Sequence, residues 1–394
     1  MTLSRDNATH MTVLGNVLES ISGGGTPSRD VESYYEGSIP WVTIKDFHDQ
    51  KYFYDSEEHI TPQAVENSST RIVPKNTVII GARMAVGSVM ITQVDTAINQ
   101  DIKALYASKD IDVEYLYYWV QSKKSLMASI ATGTTVKGIR LESLLSLPIP
   151  LPPLPEQRRI AEILGSVDAM IRNNTASKTK VLALREEALF HTFQPSQSNV
   201  LPLSEACSIE SSLVSPKSEA YRLSPHVAPD NIESATGVLF GIKTCAEDRV
   251  ISGKYTFDSR DVLYSKIRPY LRKVALPTFT GLCSADMYPL RPNTSMVTRQ
   301  YLYFLLLSPQ FTMYANSTSA RTGIPKINRE ELFSYEFPLP SLEDQNRICQ
   351  ALGALDQYYG LLKRADTQLT ELKSGLMKSL ISHNAQREVS HDVV

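Results

Sequence analysis

The strongest constraint on the fold of this chain is a duplication within it. The twelve residues Ile149–Ile160, IPLPPLPEQRRI, return as Phe337–Ile348, FPLPSLEDQNRI. No gap is needed to align the copies, and Gln157 and Gln345 are 188 positions apart. Solenoid repeats span roughly 20 to 50 residues, so this period is too long for a solenoid. The chain therefore holds two copies of a larger unit, a globular domain followed by a helix.

Charge and length narrow the class of protein. A chain of 394 residues is long enough for two or three domains with substantial cores. Residues 1–150 carry 13 Lys and Arg against 17 Asp and Glu, and residues 200–338 carry 15 against 13. Neither half is polybasic, so any contact with nucleic acid must come from local patches of positive charge.

Cysteine spacing and hydropathy indicate a cytoplasmic protein. No Cys-x-x-Cys pair and no zinc-like His spacing occur, which predicts reduced thiols and no metal site. The N-terminus lacks a basic start followed by an apolar run, and no stretch approaches 18 apolar residues, so neither secretion nor membrane insertion is expected. The cysteines are Cys207, Cys245, Cys283 and Cys349.

Each repeated element opens a long helical pattern. Pro155 suits the first turn of a helix, and Glu156 suits the positive end of the helix dipole. Apolar residues then recur in alternating steps of three and four, which predicts a heptad seam in each copy. Each helix could instead pack only on its own domain, but two matched seams favour mutual pairing over about 50 Å. The seams are Ile160, Ile163, Val167, Met170, Asn174, Ser177, Val181, Leu184 and Ala188, and Ile348, Ala351, Leu355, Tyr358, Leu362, Ala365, Leu369, Leu372 and Leu376.

Fragments of the two domains also align. Residues 77–80 and 88–92 read as strands, and residues 113–127 and 298–307 read as helices, so each domain is predicted to be mixed α and β. The predicted organisation is α+β, with two homologous domains separated by two long helices that form a coiled coil, and the duplication predicts a pseudo-two-fold axis. The boundaries are domain 1 at 1–150, helix 1 at 151–193, a linker at 194–199, domain 2 at 200–338, helix 2 at 339–382 and a flexible tail at 383–394.

Motifs for catalysis are missing from the sequence. It contains no phosphate loop, no Gly-x-Gly-x-x-Gly opening a helix and no His-Glu-x-x-His pair. The Asn/Asp-Pro-Pro-Tyr/Phe motif that an amino-methyltransferase needs is also missing. We therefore predict no catalytic residues in this chain.

The repeated element, together with several domain motifs, resembles the specificity subunit of type I restriction-modification systems. The resemblance covers residues 11–381. Two departures occur: Arg83-Met84 replaces a common Arg-Gly pair, and the second copy reads Ser-Leu-Glu-Asp after its Pro-Leu-Pro. The domain motifs are Gly24–Ser28, Ile39–Val42, Asn99–Ile102 and Gly133–Ile139.

This resemblance implies a function and a set of partners. Each domain would be a target recognition domain that reads one half of a split, asymmetric site in double-stranded DNA. The two helices would pair antiparallel as a rigid spacer that sets the distance between the halves. Two methyltransferase subunits would dock on the helical region, and restriction subunits are a further possible partner. The chain itself would bind no cofactor, since S-adenosylmethionine would belong to the methyltransferase, and ATP and Mg to the nuclease partner. The rival hypothesis is a non-catalytic scaffold of a related defence complex whose domains bind another ligand.

Candidate contact residues follow from charge and from the resemblance. Basic side chains hold phosphates or read guanine edges, although a charge run is often only a solvated face. Gly24 and Gly25 either allow a phosphate to approach the backbone closely or simply form a turn. Trp41 is predicted to lie in the core. The DNA-binding candidates are Gly24, Gly25, Thr26, Lys45, Arg83, Lys137, Arg140, Lys266, Arg268, Arg272, Lys273, Arg321 and Lys326. The candidates for the coiled coil and partner docking are Gln157, Ile160, Ile163, Val167, Met170, Val181, Leu184, Gln345, Ile348, Leu355, Leu362, Leu369 and Leu372.

Overall fold

The computed structural model describes residues 9–48, 50–133, 137–194, 200–319 and 323–382. It divides into two compact units, and both borders fall inside long helices. Unit 1 takes in the chain up to Asn173 and again from Asp366 onward, whereas unit 2 runs from Asn174 to Ala365. Each unit therefore combines one globular domain with a part of each long helix. The predicted linker 194–199 lies outside the described residues except for Gln194, and so does the predicted tail 383–394.

Unit 1 contains eleven described strands in three sheets. A mixed five-stranded sheet has the order β2-β10-β7-β8-β4, and a mixed four-stranded sheet has the order β5-β3-β9-β6. In the third sheet, the strand formed by the first Pro-Leu-Pro element pairs antiparallel with the beginning of the domain. The strands are β1 His10–Val13, β2 Leu18–Gly23, β3 Ile39–Val42, β4 Tyr52–Phe53, β5 His59–Ile60, β6 Arg71–Val73, β7 Val78–Gly81, β8 Val89–Thr92, β9 Thr96–Ile98, β10 Ile102–Ala107 and β11 Pro148–Leu151.

Unit 1 also contains four short helices and part of a long one. Asp112 caps the second helix, because its carboxylate accepts hydrogen bonds from the backbone N–H groups of Glu114 and Tyr115 at 3.0 and 3.1 Å. The predicted helix 113–127 is in fact two helices, which meet at Lys123. The helices are α1 Pro62–Glu66, α2 Val113–Ser122, α3 Lys124–Ile130, α4 Leu141–Leu145 and the long α5 Leu154–Thr192, which continues into unit 2.

Unit 2 repeats this arrangement. The sheet orders are β14-β17-β20-β15-β16 and β13-β21-β18-β19, and β12 pairs antiparallel with β22, the strand of the second Pro-Leu-Pro element. The strands are β12 Val200–Pro202, β13 Cys207–Ser208, β14 Leu213–Val214, β15 Pro225–Val227, β16 Lys243–Thr244, β17 Lys254–Phe257, β18 Val262–Ser265, β19 Val274–Ala275, β20 Gly281–Cys283, β21 Met287–Pro292 and β22 Glu336–Pro338. The helices are α6 Leu203–Ala206, α7 Arg299–Leu307, α8 Pro309–Ser319, α9 Arg329–Phe333 and α10 Leu342–Met377, which a π-helical turn at Lys378–Ser382 extends.

The apolar cores lie between the sheets and the helices of each unit. Trp41 is only 2% exposed and belongs to the core of unit 1, which agrees with its predicted core position. Ile160 and Leu164 of α5 share one core with Ile381 near the chain's end. Each domain is therefore stabilised by apolar contact with helical segments that are distant in sequence.

Polar contacts join the two long helices within each unit. In unit 1, Lys373 of α10 lies 2.7 Å from the carboxylate of Asp168 in α5. In unit 2, Arg185 Nε donates to Asp356 at 2.5 Å, and Asn174 donates to the carbonyl of Leu362 at 3.0 Å. From Asn174 to Arg185 along α5, the contacted residue in α10 changes from Leu362 back to Asp356. The two helices therefore run antiparallel in unit 2.

The predicted seam is wrong at five of its eighteen positions, which are exposed: Met170, Leu184, Ala351, Tyr358 and Leu372. Met170 and Leu184 are 53% and 55% exposed, and Leu372 is 48% exposed. Where α5 departs from the prediction, the inward residues are one position later, at Ile171 and Arg185. Where two apolar residues are adjacent, as at Met170 and Ile171, the sequence does not show which of them faces inward. At Arg185 the charge argued against an inward position, because the sequence does not show that Asp356 neutralises it.

The other seam residues lie on the inner faces of the helices. Buried members are Ile160, Val167 and Val181, and partly buried ones are Ile163, Ile348, Leu355, Leu362 and Leu369. None of the helices in the described part of the chain is both long and apolar enough to cross a membrane.

Candidate nucleic-acid interface

A buried glutamine in each repeated element fixes the domain to its long helix. In unit 1 the Gln157 amide donates to the carbonyls of Asp110 and Pro152 at 2.9 and 2.8 Å, and its oxygen accepts from the N–H of Asp112 at 2.8 Å. Gln157 is 0% exposed. Its three hydrogen bonds are all to backbone, so Gln157 has an internal role in place of the predicted partner docking.

Gln345 makes the same three contacts in unit 2. It donates to the carbonyls of Met296 and Pro340 at 2.8 and 3.0 Å and accepts from the N–H of Thr298 at 2.8 Å. Thr298 is the N-cap of α7, as Asp112 is of α2. Gln345 is also 0% exposed, and its predicted docking role is corrected in the same way.

The two domains share a second backbone arrangement at the end of a central strand. We call residues 82–84, after β7, and 266–268, after β18, the left-handed loops. In unit 1, the N–H of Ala82 donates to Asp101 O at 2.8 Å, that of Ile139 to Ala82 O at 2.9 Å, and that of Met84 to Lys137 O at 3.0 Å. The loop is therefore held between the Asn-Gln-Asp motif and the segment that leads to α4.

Unit 2 repeats all three of these hydrogen bonds. The N–H of Lys266 donates to Asp286 O at 3.0 Å, that of Ile327 to Lys266 O at 3.0 Å, and that of Arg268 to Pro325 O at 2.7 Å. A β-bridge accompanies each set, Arg83 with Gly138 and Ile267 with Lys326. The backbone is thus the same in both units, while the side chains on it differ.

Exposed cations surround the left-handed loop of unit 1. Arg83, Lys137 and Arg140 are all exposed. Arg83 and Arg140 line a groove of about 820 Å³, together with Lys103 and Met84. The groove also holds polar and acidic groups, namely Gln100, Asp101, Thr132 and Glu142. Such a mixture of cations, an amide and an apolar side chain suits phosphates and base edges together.

The glycine-rich segment lies beside this groove but serves packing. A Cβ on Gly24 would lie 1.7 Å from Ile98 O, and a Cβ on Gly25 would lie 2.1 Å from Ser69 Oγ. Both glycines are therefore required by close backbone contact, which replaces the predicted phosphate approach. Thr26 is exposed and donates to Gln100 at 2.5 Å, so it does border the groove. Lys45 is exposed on a 3-10 turn and does not line it.

Cations and tyrosines surround the left-handed loop of unit 2. Arg268 and Lys326 are exposed, and the Nζ of the partly buried Lys266 lies 5.4 Å from the centre of the Tyr288 ring. Burial raises the pKa of Tyr288, so its phenol stays neutral. Arg329 also faces that ring at 5.9 Å. These groups form a second cationic surface with an aromatic floor.

Two predicted DNA contacts in unit 2 are wrong. Arg272 donates to the carboxylate of Glu186 at 2.6 Å and to the carbonyl of Leu307, and its side chain is 14% exposed. Lys273 donates to the carbonyl of Pro229 at 2.7 Å, and its side chain is 13% exposed. In the basic run 266–273, Arg268 is therefore exposed, whereas Arg272 and Lys273 are structural cations that bond within unit 2.

Some expectations fall on residues that the structure does not describe, and some contact residues were not predicted. Arg321 lies outside the described residues, as do Thr134, Thr135 and Val136. Lys103 and Arg329 carry no distinctive spacing in the sequence, and only the fold brings them to these surfaces. Gln100 stands within the quoted Asn-Gln-Asp-Ile motif, which was an available signal.

Potential metal ligands are not grouped in the described part of the chain. No cluster of three or more His, Cys, Asp or Glu with suitable geometry occurs among those residues. The four cysteines are unpaired, and burial raises the pKa of the Cys207 thiol to about 12. That thiol is therefore protonated at neutral pH and a poor nucleophile.

Comparison with known proteins places these features in one family. The model of the type I restriction modification DNA specificity domain matches residues 10–183 and 243–371. The type I restriction enzyme EcoDI specificity subunit of Escherichia coli is 28% identical over 319 residues, covering 71% of each chain. The MjaVIII specificity subunit of Methanocaldococcus jannaschii is 22% identical over 387 residues, covering 90% of each chain.

Solved structures show the same fold. The crystal structure of the S subunit of a type I restriction-modification system from M. genitalium has a TM-score of 0.58 and 17% identity, over 97% of this chain and 98% of that one. A chain from a structural study of complex assembly in the type I R-M system has a TM-score of 0.62 and 17% identity, over 96% and 98%. The family model covers most of the chain, which therefore belongs to the type I restriction-modification DNA specificity family, as its motifs predict.

Proposed function

We propose that the chain reads a split, asymmetric site in double-stranded DNA, with one half-site read by each unit. The observation that carries the proposal is the pair of left-handed loops on identical hydrogen-bonded backbones. Their residues are Ala-Arg-Met at 82–84 and Lys-Ile-Arg at 266–268. A common scaffold with exchanged side chains is what two readers of unlike sequences need, because base edges are distinguished by side-chain chemistry.

Exposed cations around each loop supply affinity for the DNA backbone. Phosphate contacts fix the position of the protein on the duplex, whereas base contacts provide the sequence preference. In this proposal Lys137, Arg140 and Lys326 hold phosphates. The overall charge of −2 is no obstacle, because the attraction acts locally within about 10 Å at 0.1 M salt.

The chemistry in this proposal belongs to partner subunits. Two methyltransferase subunits, which carry S-adenosylmethionine, methylate adenine at the site that this chain selects, and a nuclease subunit with ATP and Mg adds restriction. Exposed apolar side chains on the long helices support docking of these partners, since large exposed apolar groups often mark protein interfaces. Met170, Leu184, Tyr358, Leu361 and Leu372 are each at least 48% exposed.

Mapping of methylated adenines in the source genome tests the function. Single-molecule sequencing should show adenines methylated in a bipartite motif, and deletion of the gene for this chain should abolish that methylation alone. The protein should also co-purify with a methyltransferase. An unchanged methylome after deletion would refute the proposal and favour a scaffold whose domains bind another ligand.

A further inference from the structure

Both units hold a non-glycine residue in the left-handed backbone region at the same place. Met84 has φ +59° and Arg268 has φ +49°. The two are 184 positions apart, the same offset that relates Ala82 to Lys266 in the repeated hydrogen bonds. Their own N–H groups donate to the equivalent carbonyls of Lys137 and Pro325. The coincidence of conformation and anchoring shows that one feature of the fold recurs in both domains.

The side chains at these positions do not serve folding. A left-handed conformation costs a non-glycine residue free energy that glycine does not lose, and strained residues cluster at functional sites. Met84 is 67% exposed and Arg268 is exposed as well. A long side chain that is both strained and exposed contributes little to a core, and the recurrence of this conformation at equivalent loop positions of the two units points to another role.

Another left-handed arginine shows what a structural role looks like. Arg272, at φ +50°, uses its guanidinium on Glu186 and Leu307 inside unit 2. Arg268 is instead exposed beside the exposed Lys326, whose backbone forms the bridge to Ile267. In unit 1 the corresponding Met84 lines the groove of about 820 Å³. The left-handed position thus places one side chain of each unit among the cations that would grip DNA.

We propose that residues 84 and 268 are the matched base-reading positions of the two units: Arg268 reads a guanine, and Met84 contacts a thymine methyl group. The inference rests on the proposed DNA-reading function and adds its chemistry. A guanidinium forms two hydrogen bonds with guanine O6 and N7 in the major groove, and apolar side chains pack on the thymine C5 methyl group. The three backbone hydrogen bonds of each loop fix the position of the Cα atom that carries this side chain, which limits the conformational entropy lost on binding.

Reciprocal substitution in the assembled enzyme tests this assignment. The chain is co-produced with the methyltransferase subunits of the source organism, and adenine methylation is measured on a randomised double-stranded DNA library. Arg268→Met should lower discrimination at one G·C pair of one half-site by roughly 5- to 150-fold and leave the other half-site unchanged. Met84→Arg should create a guanine preference at one pair of the other half-site.

Three further variants separate base reading from folding. Arg249→Met is the matched control, because Arg249 is also exposed and left-handed, at φ +53°, but lies outside the loop. The base preferences of this variant should equal those of the unaltered enzyme. Met84→Gly and Arg268→Gly relieve the backbone strain, so melting temperature should hold or rise while the base preference at that pair disappears.

The outcomes distinguish this inference from the proposed function. An unaltered enzyme without any sequence-dependent methylation would overturn the proposed function itself. If that enzyme has a bipartite motif but Arg268→Met keeps every base preference, or if Arg249→Met changes the same pair, the assignment of residue 268 is wrong. A glycine variant that retains the preference would overturn it equally.

Discussion

Replacement of the buried glutamine of unit 2 should destabilise that unit strongly. Gln345→Met keeps the length and volume of the side chain but removes its amide. Three backbone groups then lose their partner: the N–H of Thr298 and the carbonyls of Met296 and Pro340. Because Gln345 is 0% exposed, we expect no water to replace the amide without local rearrangement.

The size of the loss follows from those three groups. An unsatisfied buried N–H or carbonyl costs about 1 to 3 kcal/mol, and the carbonyls lie toward the lower end because each keeps a second lone pair. The methionine recovers some free energy by apolar packing. Together these effects give a loss of about 3 to 5 kcal/mol in the free energy of unfolding of unit 2. That is a large part of the stability of an ordinary domain.

Hydrogen exchange and urea unfolding measure this loss. Exchange at the backbone amides of α7, which Gln345 anchors, should accelerate by a factor of about 150 to 5,000 if opening follows the lost free energy. Exchange in α2, within unit 1, should not change. Gln357→Met is the control, since Gln357 is an exposed glutamine of the same helix and should shift stability by at most about 0.5 kcal/mol.

Gln157→Met gives a second and independent measurement. The same three hydrogen bonds hold α2 in unit 1, so a loss of similar size should appear there. Losses of about 1 kcal/mol or less in both variants would contradict the reasoning, because they would mean that the orphaned backbone groups find other partners. A loss in Gln357→Met as large as that in Gln345→Met would contradict it too.

Three other perturbations test separate contacts. Arg185→Met should destabilise unit 2 by about 2 to 4 kcal/mol, less than for a fully buried pair because Asp356 is partly solvated. Burial already raises the pKa of Asp356, and loss of the Arg185 guanidinium raises that pKa further. The loss of stability measured by urea denaturation should therefore be larger at pH 8 than at pH 5, because protonation of Asp356 at the lower pH relieves the buried charge. Lys326→Ala should weaken DNA binding about equally for all sequences and reduce the salt dependence, d log K/d log[salt], by about 1 in magnitude, whereas Arg272→Ala should lower stability and leave the salt slope unchanged. One heptad inserted into each long helix adds roughly 10 Å, so the unread spacer in the methylation motif should grow by about three base pairs with both half-sites retained; an altered half-site would argue against that division of roles.

The sequence predicted the long helices better than their contacts. The repeat placed the helix starts within three residues, since the predicted segments begin at 151 and 339 and α5 and α10 begin at Leu154 and Leu342. The seam was shifted in places because apolar periodicity is ambiguous where two apolar residues such as Met170 and Ile171 stand side by side. A charged residue such as Arg185 becomes an inward position only when a distant carboxylate neutralises it.

The candidate site shows the same division. Sequence alone selected Arg83, Arg140 and Lys326 from charge and motif position, and these are exposed around the two loops. It could not separate Arg268 from Arg272, because both belong to one basic run and only the fold supplies Glu186 and Leu307 to the second. The roles of Gly24 and Gly25 were likewise decided by atoms of Ile98 and Ser69, which are distant along the chain.

The sequence by itself determined the family, the duplication and the positions of the two long helices, because these depend on residue identity and on spacing along the chain. The tertiary structure alone decided which polar groups are inward. Gln157 and Gln345 are buried and join each long helix to its domain by hydrogen bonds. Met84 and Arg268 lie at equivalent positions of the two domains, each exposed and in a strained backbone conformation. The physical reason is that desolvation and backbone conformation depend on atoms brought close by the fold, and separation along the chain does not reveal them.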